Sequence, residues 1–324
     1  MQDKVSKYFK PILEDYVFIE FSSEYIQKAG RIPFMQGVPV PVKKENIEKF
    51  SDESGFKFEA FAEAMVYIMG SDLFFKHNDN YIKYMTEYNP KIRSYVIKEG
   101  LDSAEREELM RAAIHLRAAL LIDPKSLDAN YNYARACRHL YEKSEDPDFI
   151  KDFKAEATLY FEHTVEKHPE FAQAYYFLGF QYANAALYIK AQITWEKFLR
   201  KSKIRKDKAE VKQKLIQIQR LVEFEKGYTA ILAGKWKEGI GYLEPLVGSD
   251  PNWWNLFFFL GVGYSRVGKY NEALGLFKRV LEIKPSQVQN LAELALCYEK
   301  LGNKELAAKY KNKAELVEKN NEEC

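Results

Sequence analysis

Between Trp254 and Gln287 the apolar residues fall into two runs of helical period, separated by a glycine. Phe257, Leu260, Gly261 and Tyr264 stand at i, i+3, i+4 and i+7, which is one face of a helix. Gly268 breaks the run, as a glycine does when it takes the left-handed conformation that ends a helix. A second run starts at Tyr270 and carries Ala273, Phe277 and Val280 on one side, until Pro285 forbids continuation. Small residues at Gly261 and Ala273 let two backbones approach, and Phe277 and Tyr264 fill the space beside them. The spacing predicts an antiparallel helical pair.

The pair recurs in phase. A shift of 34 residues towards the C-terminus gives Leu294, Ala295, Tyr298, Gly302, Ala307 and Ala314, and the same shift backwards gives Gly227, Gly234, Trp236, Gly239 and Pro251. Leu178, Gly179, Tyr182, Tyr188, Ala191 and Trp195 make a further unit, and Ala129–Tyr141 with Ala157, Phe161 and Pro169 another. Pro90 precedes Pro124 by the same 34 residues. This order of small, aromatic and proline positions resembles the tetratricopeptide repeat, whose unit has that length. The resemblance implies an all-α fold, a right-handed α-solenoid of helical hairpins. Its clearest units are 127–171, 172–205, 220–253, 254–287 and 288–321, with degenerate units at 59–92 and 93–126. Together they make an array over 57–324 behind a non-repeat region, 1–56.

Outside the clear units the pattern is weaker. Lys4–Tyr25 has helical apolar spacing interrupted by Pro11, and Ile32–Val42, with three prolines, reads as an extended apolar segment packed on some surface. Phe56–Met69 and Asn80–Tyr88 read as helices, and so does Arg93–Gly100, a short one. A longer helix is expected from a cap at Asp102 or Ser103 to Ile122. Lys201–Lys208 is the one dense basic run, leading into a helix over Ala209–Ala233. Lys304–Lys319 has the polar outer side of a terminal cap.

Composition narrows the function classes. With 47% hydrophobic and 30% charged residues and a net charge of +2, the chain lacks the basic excess of a protein held to nucleic acid by bulk electrostatics. Three cysteines, Cys137, Cys297 and Cys324, are too few and scattered for a disulfide framework; Cys137 falls at a core position and Cys324 in a polar tail. The most apolar window, Trp253–Val262, is far short of the roughly 20 residues a membrane helix needs. The N-terminal stretch carries acids within its apolar part, unlike a secretion signal, so a cytoplasmic protein is expected, although a secreted or periplasmic chain trimmed of its signal would read the same. Phosphate-binding glycine loops, HExxH, CxxC and nucleophile elbows are absent, and His163 and His168 lie on different sides of a helix. No enzyme, no metal and no cofactor is expected.

The resemblance also implies that the second, fifth, sixth, ninth, twelfth and thirteenth residues of a unit line a concave groove. In this chain those places supply Tyr131, Asn132, Arg135 and Arg138, then Tyr176, Phe177 and Phe180. They continue with Phe224 and Tyr228, then Asn255, Phe258, Phe259 and Arg266. The middle of the set is aromatic rather than charged, which suits an amphipathic helix or an apolar extended peptide. The expectation is a protein-interaction scaffold or adaptor. Its alternatives are a self-assembling homo-oligomer whose own Ile32–Val42 segment fills the groove, and a peptide-sensing regulator.

Overall fold

The computed structural model describes residues 3–29, 32–47 and 58–322. Cys324 and the first two residues of the Phe56–Met69 helix lie outside these. The described residues form sixteen α-helices, a few short 3-10 turns and one two-stranded antiparallel ribbon. Two compact units divide them. The first comprises residues 1–182 with 200–202, the second 183–199 with 203–324, so the division falls inside the predicted unit 172–205.

The N-terminal unit opens with α1 (Ser6–Phe9), a 3-10 turn (Lys10–Asp15), β1 (Tyr16–Ile19) and α2 (Ser23–Ala29). The helical spacing expected over Lys4–Tyr25 is therefore broken by a strand. Pro11 starts the 3-10 turn, and β-branched and aromatic residues follow it. The Pro-rich segment turns through Pro33–Met35 and becomes β2 (Val40–Lys43), pairing with β1 in the register Tyr16–Lys43 to Ile19–Val40. Pro41 is tolerated because the ribbon has only two strands and needs no second ladder.

That segment has a definite resting place. α3 (Phe58–Ser71) contacts β2, and α4 (Asn78–Tyr88) contacts the Pro33–Met35 turn. Ile32, Met35, Val38, Val40 and Val42 are buried in one core with Phe61, Met65, Met69 and Tyr81. The Tyr81 hydroxyl donates to the Pro39 carbonyl at 2.5 Å, and Asn80 Nδ2 to that of Phe34 at 3.0 Å.

Two hairpins follow, α5 (Ile92–Glu105) with α6 (Leu109–Ile122) and α7 (Leu127–Glu142) with α8 (Pro147–Lys167), and α9 (Ala172–Asn184) comes after them. The expected break near Gly100 is not there. Gly100 stays helical because a Cβ on it would come within 2.9 Å of Leu116, so glycine here serves the close approach of α5 to α6. The chain reverses instead at 106–108, where Glu107 takes a left-handed φ of 63°. α3 lies mainly against α6. A Cβ on Gly70 would sit 2.1 Å from the Ile114 carbonyl oxygen, so this crossing excludes any other residue.

The C-terminal unit contains most of α10 (Tyr188–Lys201) and three hairpins. They are α11 (Arg205–Leu232) with α12 (Trp236–Leu243), α13 (Trp254–Arg266) with α14 (Tyr270–Ile283), and α15 (Val288–Lys300) with α16 (Lys304–Glu322). The first two of these hairpins close on small positions read from the sequence. A Cβ on Gly261 would meet the buried Phe277 ring at 2.6 Å, and one on Gly227 would meet Leu243 at 2.5 Å. Gly263 serves the next interface, where a Cβ would lie 2.8 Å from Ile231 and 2.9 Å from Ile240 of the preceding hairpin. First helices touch first helices along the unit, α11 with α13 and α13 with α15.

Gly234, Gly268 and Gly302 turn each of these hairpins with φ of 75°, 84° and 81°. The same place between α9 and α10 holds Ala186, at φ 57°. A Cβ in that region costs roughly 1–2 kcal/mol, part of which glycine returns as unfolded-chain entropy. Ala186→Gly is expected to stabilise the protein by about 0.5–1 kcal/mol and to raise its melting midpoint by a few degrees, whereas Gly268→Ala should lower it. A lowered midpoint for Ala186→Gly in a thermal melt would contradict the turn assignment.

Candidate functional site

The helical register decides which side chains meet on the first helices. In the N-terminal unit the fifth, sixth and ninth places of α7 and α9 bring rings together. Tyr131 lies edge-on to Phe171 at 4.8 Å and 6.1 Å from Phe177. Tyr176 lies at 5.0 Å from both Phe177 and Phe180. All four predicted aromatics are half-buried. Phe177 also stacks on the fully buried Phe161 at 5.5 Å, so it joins the core to the surface ladder.

The polar members of this set are tied to the same rings. The Arg138 guanidinium lies 5.0 Å over Phe177 while its Nε donates to Glu142 at 2.7 Å. Arg135 lies 5.6 Å over Tyr131 and donates to Asn132 Oδ1 at 3.4 Å. Asn132 Nδ2 in turn caps the Asp128 carbonyl at 2.9 Å. The arginines thus cover aromatic faces, a cation–π arrangement that leaves the surface mainly apolar.

Beside this ladder the sequence reading overlooked a contribution from α5. Applying the groove register to unit 93–126 gives Ser94, Ile97, Lys98, Leu101, Ala104 and Glu105, and all six line one or both of two adjoining clefts. One, of about 330 Å³, lies between α5 and α7 and is walled by Leu101, Leu109, Asn132, Arg135 and His139. The other, of about 480 Å³, reaches Asp123 and Asp128. The signal was present in the 34-residue register, but ending the helix at Gly100 hid it. Partial burial lowers the His139 pKa below the usual histidine value, so its ring is neutral at neutral pH.

In the C-terminal unit the corresponding rings lie on α11 and α13. Phe224 stacks on Tyr228 at 5.8 Å and lies 5.0 Å from Trp253. Tyr228 lies 5.3 Å from Phe259, which lies 5.4 Å from Phe258. Phe258 leans on the buried Phe277 at 6.1 Å. Asn255 is half-buried on the first turn of α13. Arg266 makes a two-pronged salt bridge to Glu293 of α15, at 2.6 and 3.0 Å, and that carboxylate holds its guanidinium charged. The Tyr264 hydroxyl donates to Glu244 at 2.5 Å, and burial with this carboxylate moves its pKa up to about 12.

Among the described residues no group of three His, Cys, Asp or Glu side chains is placed to hold a metal ion. His168 Nε2 contacts the Lys125 carbonyl at 2.7 Å, and the buried His115 Nδ1 that of Arg111 at 2.9 Å. Cys137 and Cys297 are buried free thiols, and burial raises both pKa values. No helix of the described residues is long and apolar enough to cross a membrane.

A tetratricopeptide repeat family model matches residues 256–287. The match spans α13 and α14, the pair whose Gly261–Phe277 contact and Gly268 turn define the repeat here. The α13–α14 pair is a tetratricopeptide repeat. No curated protein matches the sequence. Among solved structures, MamA (residues 41 to the end) from Desulfovibrio magneticus RS-1 is 16% identical, with a TM-score of 0.37, over 58% of this chain and 96% of that one. YrrB, described as a TPR protein with an unusual peptide-binding site, is 20% identical with a TM-score of 0.34, over 62% and 91%. Pseudomonas aeruginosa PilF is 16% identical with a TM-score of 0.34, over 68% and 89%. Tetratricopeptide proteins are generally protein-interaction scaffolds without catalytic activity.

The position of the N-terminal segment bears on what covers the rings. Tyr8 and Phe9 pack on Phe149 and Phe153 of α8, Asp3 pairs with Arg117 of α6, and Ile32–Val42 rests on α3 and α4. These contacts go to second helices and to the N-terminal helices. In place of the alternative in which Ile32–Val42 fills the groove, the segment's apolar residues are buried with those of α3 and α4.

Proposed function

We propose that this protein is a non-enzymatic scaffold that holds an apolar segment of another polypeptide, an amphipathic helix or an extended peptide, against the aromatic faces of its first helices. The observation that carries this reading is the pair of half-buried ring ladders, Tyr131–Phe177–Tyr176–Phe180 in one unit and Phe224–Tyr228–Phe259–Phe258 in the other. A soluble protein gains nothing by leaving such rings partly wetted, whereas a ligand that dries them gains roughly 25 cal/mol for each Å² covered. The cations nearby sit over rings or are paired with acids, so they offer little to a carboxylate-rich ligand.

The test separates the two faces. Phe177 and Phe258 lean on core rings, so Phe180→Ser and Phe259→Ser are the cleaner variants. Peptides selected by display against the protein are expected to be apolar or amphipathic, and each variant to weaken those that bind its own unit by at least tenfold (about 1.4 kcal/mol) with the helical circular dichroism unchanged. Selected peptides that are uniformly acidic, or that bind both variants as they bind the parent, would refute the reading.

A further inference from the structure

The second half of the basic run Lys201–Lys208 forms the first turn of α11, and the structure shows which way it faces. Val211, Ile218 and Val222 are buried on one side of that helix. At about 100° per residue, Lys208, Lys212, Arg205, Ile216, Arg220 and Lys206 follow one another round a sector of about 160° on another side, Arg220 being the furthest along the helix. Between Arg205 and Arg220 no acidic residue falls within that sector; Glu223, about one turn further on, does, and it pairs with Lys226. Asp207 and Glu210 stand outside it and have partners of their own. Among the described residues none of the five cations makes an ion pair, and Arg205, Lys206, Lys212 and Arg220 are exposed. In their midst stands Ile216, 78% exposed, the largest such value among the exposed large hydrophobic residues.

We infer that the N-terminal half of α11 is a docking face for an anionic lipid surface. A nucleic acid would use the same charges but has no use for a central isoleucine, and between Arg205 and Arg220 the sector holds no aromatic side chain on which a base could stack. An acidic peptide would need a trough for its backbone, and a single outward helix face is convex. A bilayer surface accepts both features together. Cations spread over about 22 Å of helix meet several headgroups, and one protruding aliphatic side chain enters the boundary between headgroup and acyl chain. The part of this face from Arg205 to Ile216 lies two turns or more along α11 from Phe224, the first ring of the ladder, and does not depend on the function proposed for the rings.

The experiment uses the full-length protein with vesicles of phosphatidylcholine alone, and of phosphatidylcholine mixed with phosphatidylserine. Sedimentation with the mixed vesicles and not with the neutral ones is expected, weakening as salt rises. Each neutralised cation near the surface should cost about fivefold, so Lys208→Gln with Lys212→Gln should weaken binding about 25-fold. Ile216→Ser should weaken it severalfold while leaving the salt dependence in place. Phe180→Ser and Phe259→Ser should bind vesicles as the parent does, which keeps this test independent of the peptide-binding one. Equal binding to neutral vesicles, no loss in the double glutamine variant, or tighter binding to a short RNA duplex that ignores Ile216→Ser would each overturn the inference.

Discussion

Asp3→Ala is expected to destabilise the N-terminal unit by about 3–5 kcal/mol, because it strands a fully buried guanidinium. Arg117 lies in the middle of α6 with no exposed surface, and its Nη2 donates to Asp3 and, at 3.2 Å, to Ser6 Oγ. Its Nε and Nη1 find no partner among the described residues, so Asp3 is the one carboxylate that pairs with it directly, with Glu156 close enough to add to the field that favours the charge. Phe9 lies 4.8 Å under the guanidinium plane and completes the cage. Asp3 also caps α1, accepting from the Val5 and Ser6 amides at 3.3 and 3.1 Å, so its loss frees the segment as well. Arg117→Met with Asp3→Ala removes both charges together and should recover most of the loss. Urea denaturation followed by circular dichroism checks this cycle. An additive double variant would show that the pair does not hold the segment down.

Phe277→Ala should cost about 3–5 kcal/mol in the C-terminal unit. Its ring is fully buried and fills the space that Gly261 leaves open, so truncation creates a cavity where no neighbouring backbone can collapse. The converse change, Gly261→Ala, drives a methyl to 2.6 Å from that ring and should cost about 1–3 kcal/mol through overpacking. Combining Gly261→Ala with Phe277→Leu trades volume across the contact and should cost less than the sum of the single changes. The four tryptophans, Trp195, Trp236, Trp253 and Trp254, all belong to this unit, so their fluorescence follows its unfolding directly. Strict additivity would mean that the two positions do not share one contact.

What could be read from the chain depended on how strongly local spacing constrains packing. Gly261, Ala273 and Phe277 sit in fixed phase because a helical hairpin closes only where a small residue faces a large one, and that constraint is local. Gly268, Gly234 and Gly302 were legible for the same reason, as turns of positive φ. Gly100 misled because the same residue type serves two ends, stopping a helix or admitting a neighbour. Which of these applies depends on Leu116, sixteen residues away. The ribbon of Tyr16–Ile19 with Val40–Lys43 was hidden because pairing between distant segments leaves no local periodicity. Arg117 carried no signal either, since a charged residue within an apolar helix announces burial only once Asp3 is brought to it. At the candidate site, spacing located the rings, but it could not show that Arg138 and Arg135 lie over them or that Arg266 is paired with Glu293.

The central claim, that partners are held on the first-helix aromatic faces, is tested most directly by photocrosslinking in the native host. A photoreactive phenylalanine analogue would replace Phe180 or Phe259, with an exposed position on a second helix, Lys278, as the control. Adducts from 180 or 259 that map to an apolar or amphipathic segment of one partner, with none from 278, are the expected result. Adducts from 278 alone, or none from either aromatic face while the partner still co-purifies, would place binding elsewhere and contradict it.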